Sequence, residues 1–168
     1  MLRLYKQDPK RYKTSLQNAG SRFTTRGGRK VKLRLMQPSD VPLMIEFFHR
    51  MSPETRRRRF HGGAENVSDE LVLEQAEVLA AVDNAVLTGA VVAIYEEDDS
   101  PHMVGSVRLA RDPAHPDSPE AEAAVVVRDD YHGQGVGTEL MRRLVLLAKQ
   151  MKVKTILAVF QPDNEGAI

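Results

Sequence analysis

The chain has 168 residues, of which 42% are apolar and 28% charged, a composition typical of one soluble domain with a single buried core. Cysteine is absent, which excludes disulfides, thiolate metal sites and a cysteine nucleophile. No apolar run approaches the roughly 20 residues of a membrane-spanning helix, and the basic start is not followed by the apolar stretch of a secretory signal. We therefore expect a cytoplasmic protein without a membrane partner.

The net charge of +1 conceals two regions of opposite sign. Residues 1–34 contain 11 Lys and Arg and one acid, whereas residues 35–168 contain 13 Lys and Arg and 22 acids. We interpret residues 1–24 as a basic, solvated extension that precedes the folded domain. Its aromatic residues are too sparse for a base-stacking surface, so nucleic acid is not an expected partner.

The first half of the chain predicts a hairpin followed by three helices. Residues 21–25 and 31–36 are β-prone and flank Arg26-Gly27-Gly28-Arg29, and a Gly-Gly pair in such a place indicates a hairpin turn. The helices should begin at Pro38-Ser39-Asp40, where Ser39 or Asp40 is the cap, at Ser52-Pro53-Glu54 and at Ser68-Asp69-Glu70. On the third helix one side carries Leu71, Gln75, Val78 and Leu79.

The second half predicts strands and one crossover helix. Residues 86–95 and 103–110 are β-branched or apolar and are separated by an acidic turn, so they should pair antiparallel. Prolines make residues 111–120 a loop. The elements that follow are a strand, a strongly periodic helix and a last strand, over 121–128, 138–151 and 155–160. The order predicts a mixed, mostly antiparallel α/β sheet with one right-handed β-α-β crossover near its end.

A glycine-rich loop joins the strand over 121–128 to the periodic helix, with the sequence His132-Gly133-Gln134-Gly135-Val136-Gly137-Thr138. The first amides of a helix have no partner within it and carry the positive end of its dipole. Glycines let such a backbone approach phosphate oxygens, so the loop is a candidate diphosphate site. It does not match the dinucleotide fingerprint, because Thr138 stands where that motif needs its third glycine. It does not match the P-loop either, because Gly137 is followed by Thr138-Glu139 where that motif needs Lys-Ser/Thr. A purely structural turn is the alternative.

The loop and its surroundings resemble the GNAT superfamily of N-acetyltransferases, whose pattern is Arg/Gln-x-x-Gly-x-Gly/Ala. The chain has His132-x-x-Gly135-x-Gly137, with histidine at the first position. The segments 51–60 and 121–125 look similar to bacterial Pat-type protein lysine acetyltransferases, and Gln161-Pro162-Asp163-Asn164 looks like the start of the last family helix. The resemblance covers about residues 25–168 and implies a GNAT-like α/β domain that transfers an acetyl group from acetyl-CoA to an amine.

The resemblance also implies which residues bind the cofactor. In the family the pantetheine arm lies along the strand before the loop like an added strand, and the diphosphate meets main-chain N–H groups of the loop. The Asn of the last helix contacts the pantetheine arm. The implied cofactor-binding residues are Val125, Val126, Val127, His132, Gly133, Gln134, Gly135, Val136, Gly137, Thr138 and Asn164.

Glu122 is the candidate general base. Only about 0.1% of free lysine side chains are neutral near pH 7.4, so the attacking amine must lose a proton. Strand alternation places Glu122, Ala124, Val126 and Arg128 on one face, and we expect burial among alanines and valines to raise the pKa of Glu122. The Pat-type proteins carry their catalytic Glu at this position. An edge-exposed structural Glu is the alternative. A main-chain N–H near Val126 should stabilise the oxyanion.

The acceptor and the partners stay open at this level. A protein lysine is the favoured acceptor, and the alternatives are a small-molecule amine acetyltransferase or a catalytically weak acyl-CoA-binding regulatory domain. Four consecutive arginines, residues 56–59, form either a solvated face or a docking site for an acidic substrate or a CoA phosphate. The histidines lack metal spacing, so no metal is expected. The usual last two family strands are missing from the sequence, which predicts an open sheet edge and a possible homodimer.

Overall fold

Six strands form one sheet in which spatial order follows chain order. The computed structural model describes residues 21–59 and 67–158. The strands are β1 (Arg22–Thr24), β2 (Lys30–Leu35), β3 (Thr88–Glu97), β4 (Ser100–Ala110), β5 (Glu120–Val127) and β6 (Thr155–Ala158). The helices are α1 (Val41–Arg50), α2 (Pro53–Arg59), α3 (Asp69–Ala80) and α4 (Val136–Gln150).

The strand directions confirm the predicted mixed sheet. Neighbours from β1 to β5 are antiparallel, and β5 pairs parallel with β6. A parallel pair needs a crossover connection, and α4 supplies it. The predicted hairpin is also present, because Thr25 N donates to Arg29 O at 2.8 Å across the β1–β2 turn. β1 lies before residue 25, so the sheet already begins at Arg22.

The cap residues predicted from the sequence mark the starts of two of the first three helices, α2 and α3. Ser52 Oγ accepts from Thr55 N at 3.1 Å, and Ser68 Oγ accepts from Leu71 N at 3.2 Å. Asp40 stands before α1 but its carboxylate does not cap that helix. It binds the Arg34 guanidinium at 2.7 and 2.8 Å and accepts from Gln37 N at 2.8 Å, which tightens residues 38–40 into a 3₁₀ turn.

Different helices cover the two faces of the sheet. α4 buries Leu140, Leu144 and Leu147 against one face. On the opposite face, α1 and α3 lie over a second cluster that contains Met36, Phe47, Ala80, Val92 and Val126. The side of α3 that faces the core carries Val72, Ala76 and Ala80, whereas the row that was noted from the sequence is largely exposed, with Leu71 and Val78 at 43% and 62%.

Several boundaries differ from the predicted ones. The strands β3 and β4 run further than expected, and their turn is reduced to Asp98 and Asp99, whose φ angles of 51° and 60° suit a two-residue hairpin turn. The crossover helix begins at Val136, two residues earlier than predicted. The helix predicted from Pro162 lies outside the described residues.

Candidate active site

The outer edge of β5 is the first component of the site. Arg128 N donates to Val104 O at 2.9 Å, and hydrogen-bonded pairs alternate along an antiparallel ladder. Val126, which is paired with Ser106, therefore directs its N–H and C=O groups toward β4. Val125 and Val127 direct theirs toward the opposite side. On that side, the described part of β6 pairs with β5 only as far as Ala123.

This register specifies which main-chain N–H groups near Val126 are available as the expected oxyanion donor. The N–H of Val126 lies within the β4–β5 ladder, so it is not free to bind a developing negative charge. The amides of Val125 and Val127 point into the slot beside β5 instead. The sequence identified the right strand, but the phase of the ladder depends on the pairing partner.

The position of Glu122 agrees with strand alternation, but its environment does not agree with the sequence analysis. Glu122 shares the face of β5 on which Val126 packs against the α1–α3 cluster. Its side chain is exposed, so the expected burial among alanines and valines is wrong. Ala121 and Ala123 lie on the opposite face, and Ala124, the next residue on the same face, is too small to cover a carboxylate at the start of the strand. Glu122 lines an open cleft with His115 and Glu120.

The glycine loop has a backbone that only glycine adopts readily. Gly133 and Gly135 have φ angles of +70° and +89°, in the left-handed region. A Cβ atom on Gly133 would meet nothing within 4 Å, whereas one on Gly135 would lie 3.2 Å from Cζ of Phe23. The loop is therefore open to solvent above Gly133 and packed against β1 at Gly135.

The main-chain amides of this loop are free. Within the part of the chain that the structure describes, no residue accepts a hydrogen bond from the six N–H groups of Gly133, Gln134, Gly135, Val136, Gly137 and Thr138. The first bond of α4 is donated by Glu139 N to Gly135 O at 3.1 Å. These donors lie at the positive end of the α4 dipole, so the loop offers an anion a concave set of N–H groups.

His132 stands where the family pattern has Arg or Gln, and its side chain makes a contact within the protein. Its Nε2 lies 2.8 Å from Val127 O. A carbonyl oxygen only accepts, so Nε2 carries the proton and donates it. The imidazole thereby ties the start of the loop to the end of β5 and occupies the Val127 carbonyl.

The β1–β2 turn contacts the glycine loop, which the sequence analysis did not anticipate. Arg26 N donates to Gln134 O at 3.1 Å, and Arg26 Nη1 donates to Gly133 O at 3.2 Å. The Arg29 guanidinium lies over the ring of Tyr131, 5.0 Å from its centroid. Two arginines beside a Gly-Gly pair were the available signal, but they indicated only a turn.

Asp129 anchors α2 beside the loop. Its carboxylate accepts from Ser52 N at 2.9 Å, Ser52 Oγ at 3.2 Å and Thr55 Oγ1 at 2.7 Å. Burial alone would raise the pKa of Asp129, but these hydrogen bonds and nearby His132 outweigh it and lower that pKa. The arginine-bearing helix α2 is thus held next to the candidate cofactor site.

An apolar cavity lies on the face of the sheet that carries Glu122. It has a volume of about 240 Å³ and lies between α1, α3 and the β4–β5 pair. Its lining includes Met36, Met44, Phe47, Leu79 and Val126. The cavity therefore reaches β5, the strand whose outer edge carries the amides of Val125 and Val127.

Other predicted features are placed as follows. Tyr131 is 1% exposed and belongs to the core. Asn164 lies outside the described residues. Across residues 21–59 and 67–158, no cluster of His, Asp or Glu has the geometry of a metal site, and no helix has the length and apolarity needed to cross a membrane.

Comparisons with known proteins agree on one family. The sequence model of the acetyltransferase (GNAT) domain matches residues 30–168. Acetyltransferase PA5475 of Pseudomonas aeruginosa is 30% identical over 139 residues, which cover 83% of this chain and 70% of that protein. The crystal structure of the GNAT domain of S. lividans PAT matches with a TM-score of 0.73 at 20% identity, over 88% of this chain and 81% of that one.

A further structural match is an aminoglycoside acetyltransferase from an uncultured soil metagenomic sample, in complex with sisomicin. Its TM-score is 0.58 at 14% identity, and the match covers 82% of each chain. The family match extends over most of the sequence, and the mixed sheet with its helices is the fold shared with these structures. The chain therefore belongs to the GNAT family of acetyltransferases, enzymes that transfer an acetyl group from acetyl-CoA to an amine.

Proposed function

We propose that this protein acetylates lysine side chains of proteins, with Glu122 as the general base. The observation that carries the proposal is the set of six loop amides, from Gly133 to Thr138, that no described residue accepts from. They lie next to the outer edge of β5, where no described strand pairs with the residues beyond Ala123. A diphosphate followed by an amide-containing arm is the ligand that fits both features.

Acetyl-CoA has that chemistry. Its diphosphate would accept from the loop amides, where the α4 dipole favours negative charge. Its pantetheine arm contains amides that can pair with the N–H and C=O of Val125 and the N–H of Val127, as an added strand does. The carbonyl of Val127 is excluded, since His132 already donates to it. The cofactor supplies an activated thioester.

The residues of β5 then support direct transfer. Glu122 accepts a proton from the ammonium of the acceptor, through water because its side chain is exposed. The neutral nitrogen attacks the thioester carbonyl, the C–N bond forms and the C–S bond breaks, and the proton that the nitrogen loses as it becomes an amide passes to the departing CoA thiolate. The N–H of Val125 or Val127 donates to the oxyanion that develops in between.

Two features support a protein as the acceptor. The segments 51–60 and 121–125 resemble Pat-type lysine acetyltransferases, and the fold matches the GNAT domain of S. lividans PAT. Asp129 also holds α2 beside the loop, and Arg57 on α2 is exposed, so acidic residues that flank a target lysine have a cationic surface to contact. A small-molecule amine is the second candidate, because the same fold occurs in an aminoglycoside acetyltransferase.

The test is acetyl transfer from labelled acetyl-CoA to a mixture of bacterial proteins and, separately, to polyamines and aminoglycosides. We expect acid-stable label on protein lysines, and Glu122→Gln should abolish it while calorimetry shows unchanged CoA affinity. Glu120→Gln is the matched control, since Glu120 lies on the same face of β5 and is also exposed. Label confined to small molecules would remove the protein-lysine assignment.

We also propose that a second copy covers β6. Among the described strands β6 pairs with β5 alone, and Leu157 on it is 44% exposed. An unpaired strand edge readily accepts another strand. Light scattering should show a dimer, and a monomer at all concentrations would contradict this proposal.

A further inference from the structure

The turn between β1 and β2 contacts the glycine loop from one side. Arg26 donates to two successive loop carbonyls, from its main-chain N to Gln134 O and from Nη1 to Gly133 O, at 3.1 and 3.2 Å. The partners are separated by more than 100 positions in the chain. The sequence match to the GNAT domain begins at residue 30, so this turn precedes the matched segment.

These two bonds determine where the loop amides point. In a trans peptide the C=O of one residue and the N–H of the next point in opposite directions. With the carbonyls of Gly133 and Gln134 directed at Arg26, the N–H groups of Gln134 and Gly135 must point away from the hairpin. Both are among the amides that have no described acceptor.

The turn is itself rigid enough to impose this orientation. Thr25 is 3% exposed, its carbonyl accepts from Gly28 N at 2.9 Å and its Oγ1 accepts from Arg29 N at 3.1 Å. Phe23 on β1 packs against Gly135. The hairpin thus holds the loop at a main-chain contact, a side-chain contact and an aromatic contact.

The hairpin also brings positive charge to the loop. Among the described residues no carboxylate pairs with Arg26, so its charge is not neutralised by an ion pair. Arg29 lies over Tyr131, which precedes the loop by one residue. The hairpin therefore adds positive charge behind the loop, on the side opposite the amides that would face a diphosphate.

We propose that Arg26 is a positioning residue of the diphosphate site: it holds the Gly133 and Gln134 carbonyls so that the next two amides face the diphosphate. This inference rests on the proposed function only in taking that diphosphate to belong to acetyl-CoA. The hairpin then supports the loop from behind, and the loop and the start of α4 supply the donors to the diphosphate.

The experiment compares acetyl-CoA with acetyl-pantetheine, which carries the thioester but no diphosphate. Arg26→Ala should raise KM for acetyl-CoA about tenfold with kcat at saturation retained, and it should change kcat/KM for acetyl-pantetheine by less than about twofold. Arg26→Lys should restore part of the loss, because an ammonium can still donate to Gly133 O. Arg22→Ala is the control, since Arg22 is exposed on the same hairpin and touches no loop residue.

Equal losses with both thioesters, or no loss with either, would overturn the inference. A second measurement separates it from the proposed function: ADP is added to ¹⁵N-labelled protein and the amide signals of Gln134 and Gly135 are followed. We expect both to shift in the wild type, and in Arg26→Ala we expect Gln134 to lose that response while Gly135 keeps it, because the main-chain N of residue 26 still donates to Gln134 O. If ADP acts in this way while no amine is acetylated, the proposed function fails and the role of Arg26 stands. If ADP leaves both amides unchanged, the role of Arg26 fails.

Discussion

Glu122 has an unusual setting for a general base, because its side chain is exposed at the start of β5. We predict that Glu122→Gln lowers kcat by about 100-fold or more, since the amine then has no positioned proton acceptor. KM for acetyl-CoA should be retained, because the proposed cofactor contacts are with main-chain groups. Steady-state kinetics at saturating acceptor measures both values.

The control for that prediction is Glu120→Gln, which removes an equal charge two positions away on the same face. It should leave kcat within about twofold of the wild type. A Glu122→Gln enzyme with wild-type kcat would show that another group, or water alone, removes the proton.

Gly135 is the loop residue with the least tolerance for a side chain. It combines a φ of +89° with a Phe23 ring atom 3.2 Å from the position of a Cβ. We predict that Gly135→Ala lowers the free energy of unfolding by about 1–2 kcal/mol and weakens CoA binding. Urea denaturation and calorimetry measure the two effects.

Gly137→Ala is the matched comparison within the same loop. A Cβ at Gly137 would lie 3.6 Å from Val127 Cγ2, which is an ordinary contact, and the residue lies in the first turn of α4. Alanine there should be neutral or should stabilise by about 0.5 kcal/mol. A destabilisation equal to that of Gly135→Ala would mean that the backbone conformation does not decide the cost.

The residues of the site differ in how far the sequence could identify them. The spacing of Gly133 and Gly135 before an amphipathic helix indicated the loop, because its requirements are local. Arg26 was not identified, since its contacts are with residues more than 100 positions away. Glu122 was assigned to the correct strand face, but its exposure depends on which neighbours cover the strand end.

At the scale of elements, Asp129 links α2 to the loop that precedes α4. The pKa of Asp129 is lowered because its hydrogen bonds from Ser52 and Thr55 outweigh burial. A lowered pKa in the folded state contributes stability that is present above the unfolded pKa, near 4, and is lost as pH falls through the folded value. We predict that Asp129→Asn is destabilising at neutral pH and that this difference shrinks below about pH 4.

Urea denaturation of both proteins between pH 7 and the acid limit of folding checks this dependence. Asp112→Asn is a useful control, because Asp112 also has a lowered pKa, through Ala114 N and His115, but lies in the exposed loop before β5. A difference between wild type and Asp129→Asn that stays constant with pH would contradict the assigned linkage.

Some helices and strands could be predicted from local sequence better than others. The β1–β2 hairpin and the starts of α2 and α3 depend on nearest neighbours, so turn and cap residues predicted them. The buried side of α3 depends on what it packs against, and the small Ala76 and Ala80 are buried while larger Leu71 and Val78 are exposed. Hydrophobicity alone favours the opposite side.

At the scale of the whole molecule, Arg111 joins chain segments at the end of the sheet that lies opposite the β1–β2 and β3–β4 turns. It is 7% exposed and donates to three carbonyls, of Ser118 at 2.7 Å, Val86 at 2.5 Å and Met151 at 2.7 Å. Three chain segments therefore depend on one side chain. We predict that Arg111→Ala lowers the free energy of unfolding by about 3 kcal/mol or more, because buried carbonyls lose charged donors.

Arg142→Ala is the comparison for Arg111→Ala in urea denaturation. Arg142 is 44% exposed and contacts Glu139 at 3.0 Å, so its loss should cost about 0.5 kcal/mol or less. Similar costs for the two variants would show that the three carbonyl contacts of Arg111 do not hold the segments together.

The pairs β1–β2 and β3–β4 were predictable because a short turn joins the two strands of each pair. The position of the glycine loop was predictable because it directly connects β5 to the crossover helix α4. The ladder phase that directs Val126 inward and Val125 outward was not, since it is fixed by Ser106 and its neighbours on β4.

Within residues 21–59 and 67–158, β5 has no strand partner on its outer side beyond Ala123, and a ligand bound there has a consequence for the enzyme in the cell. A ligand that fills this place acts as a removable strand, and it adds RT ln(1 + [L]/Kd) to the stability of the folded state. When the acetyl donor becomes scarce, the enzyme loses that contribution and this end of the sheet opens more often. Its lifetime against proteases would then follow the supply of its own substrate.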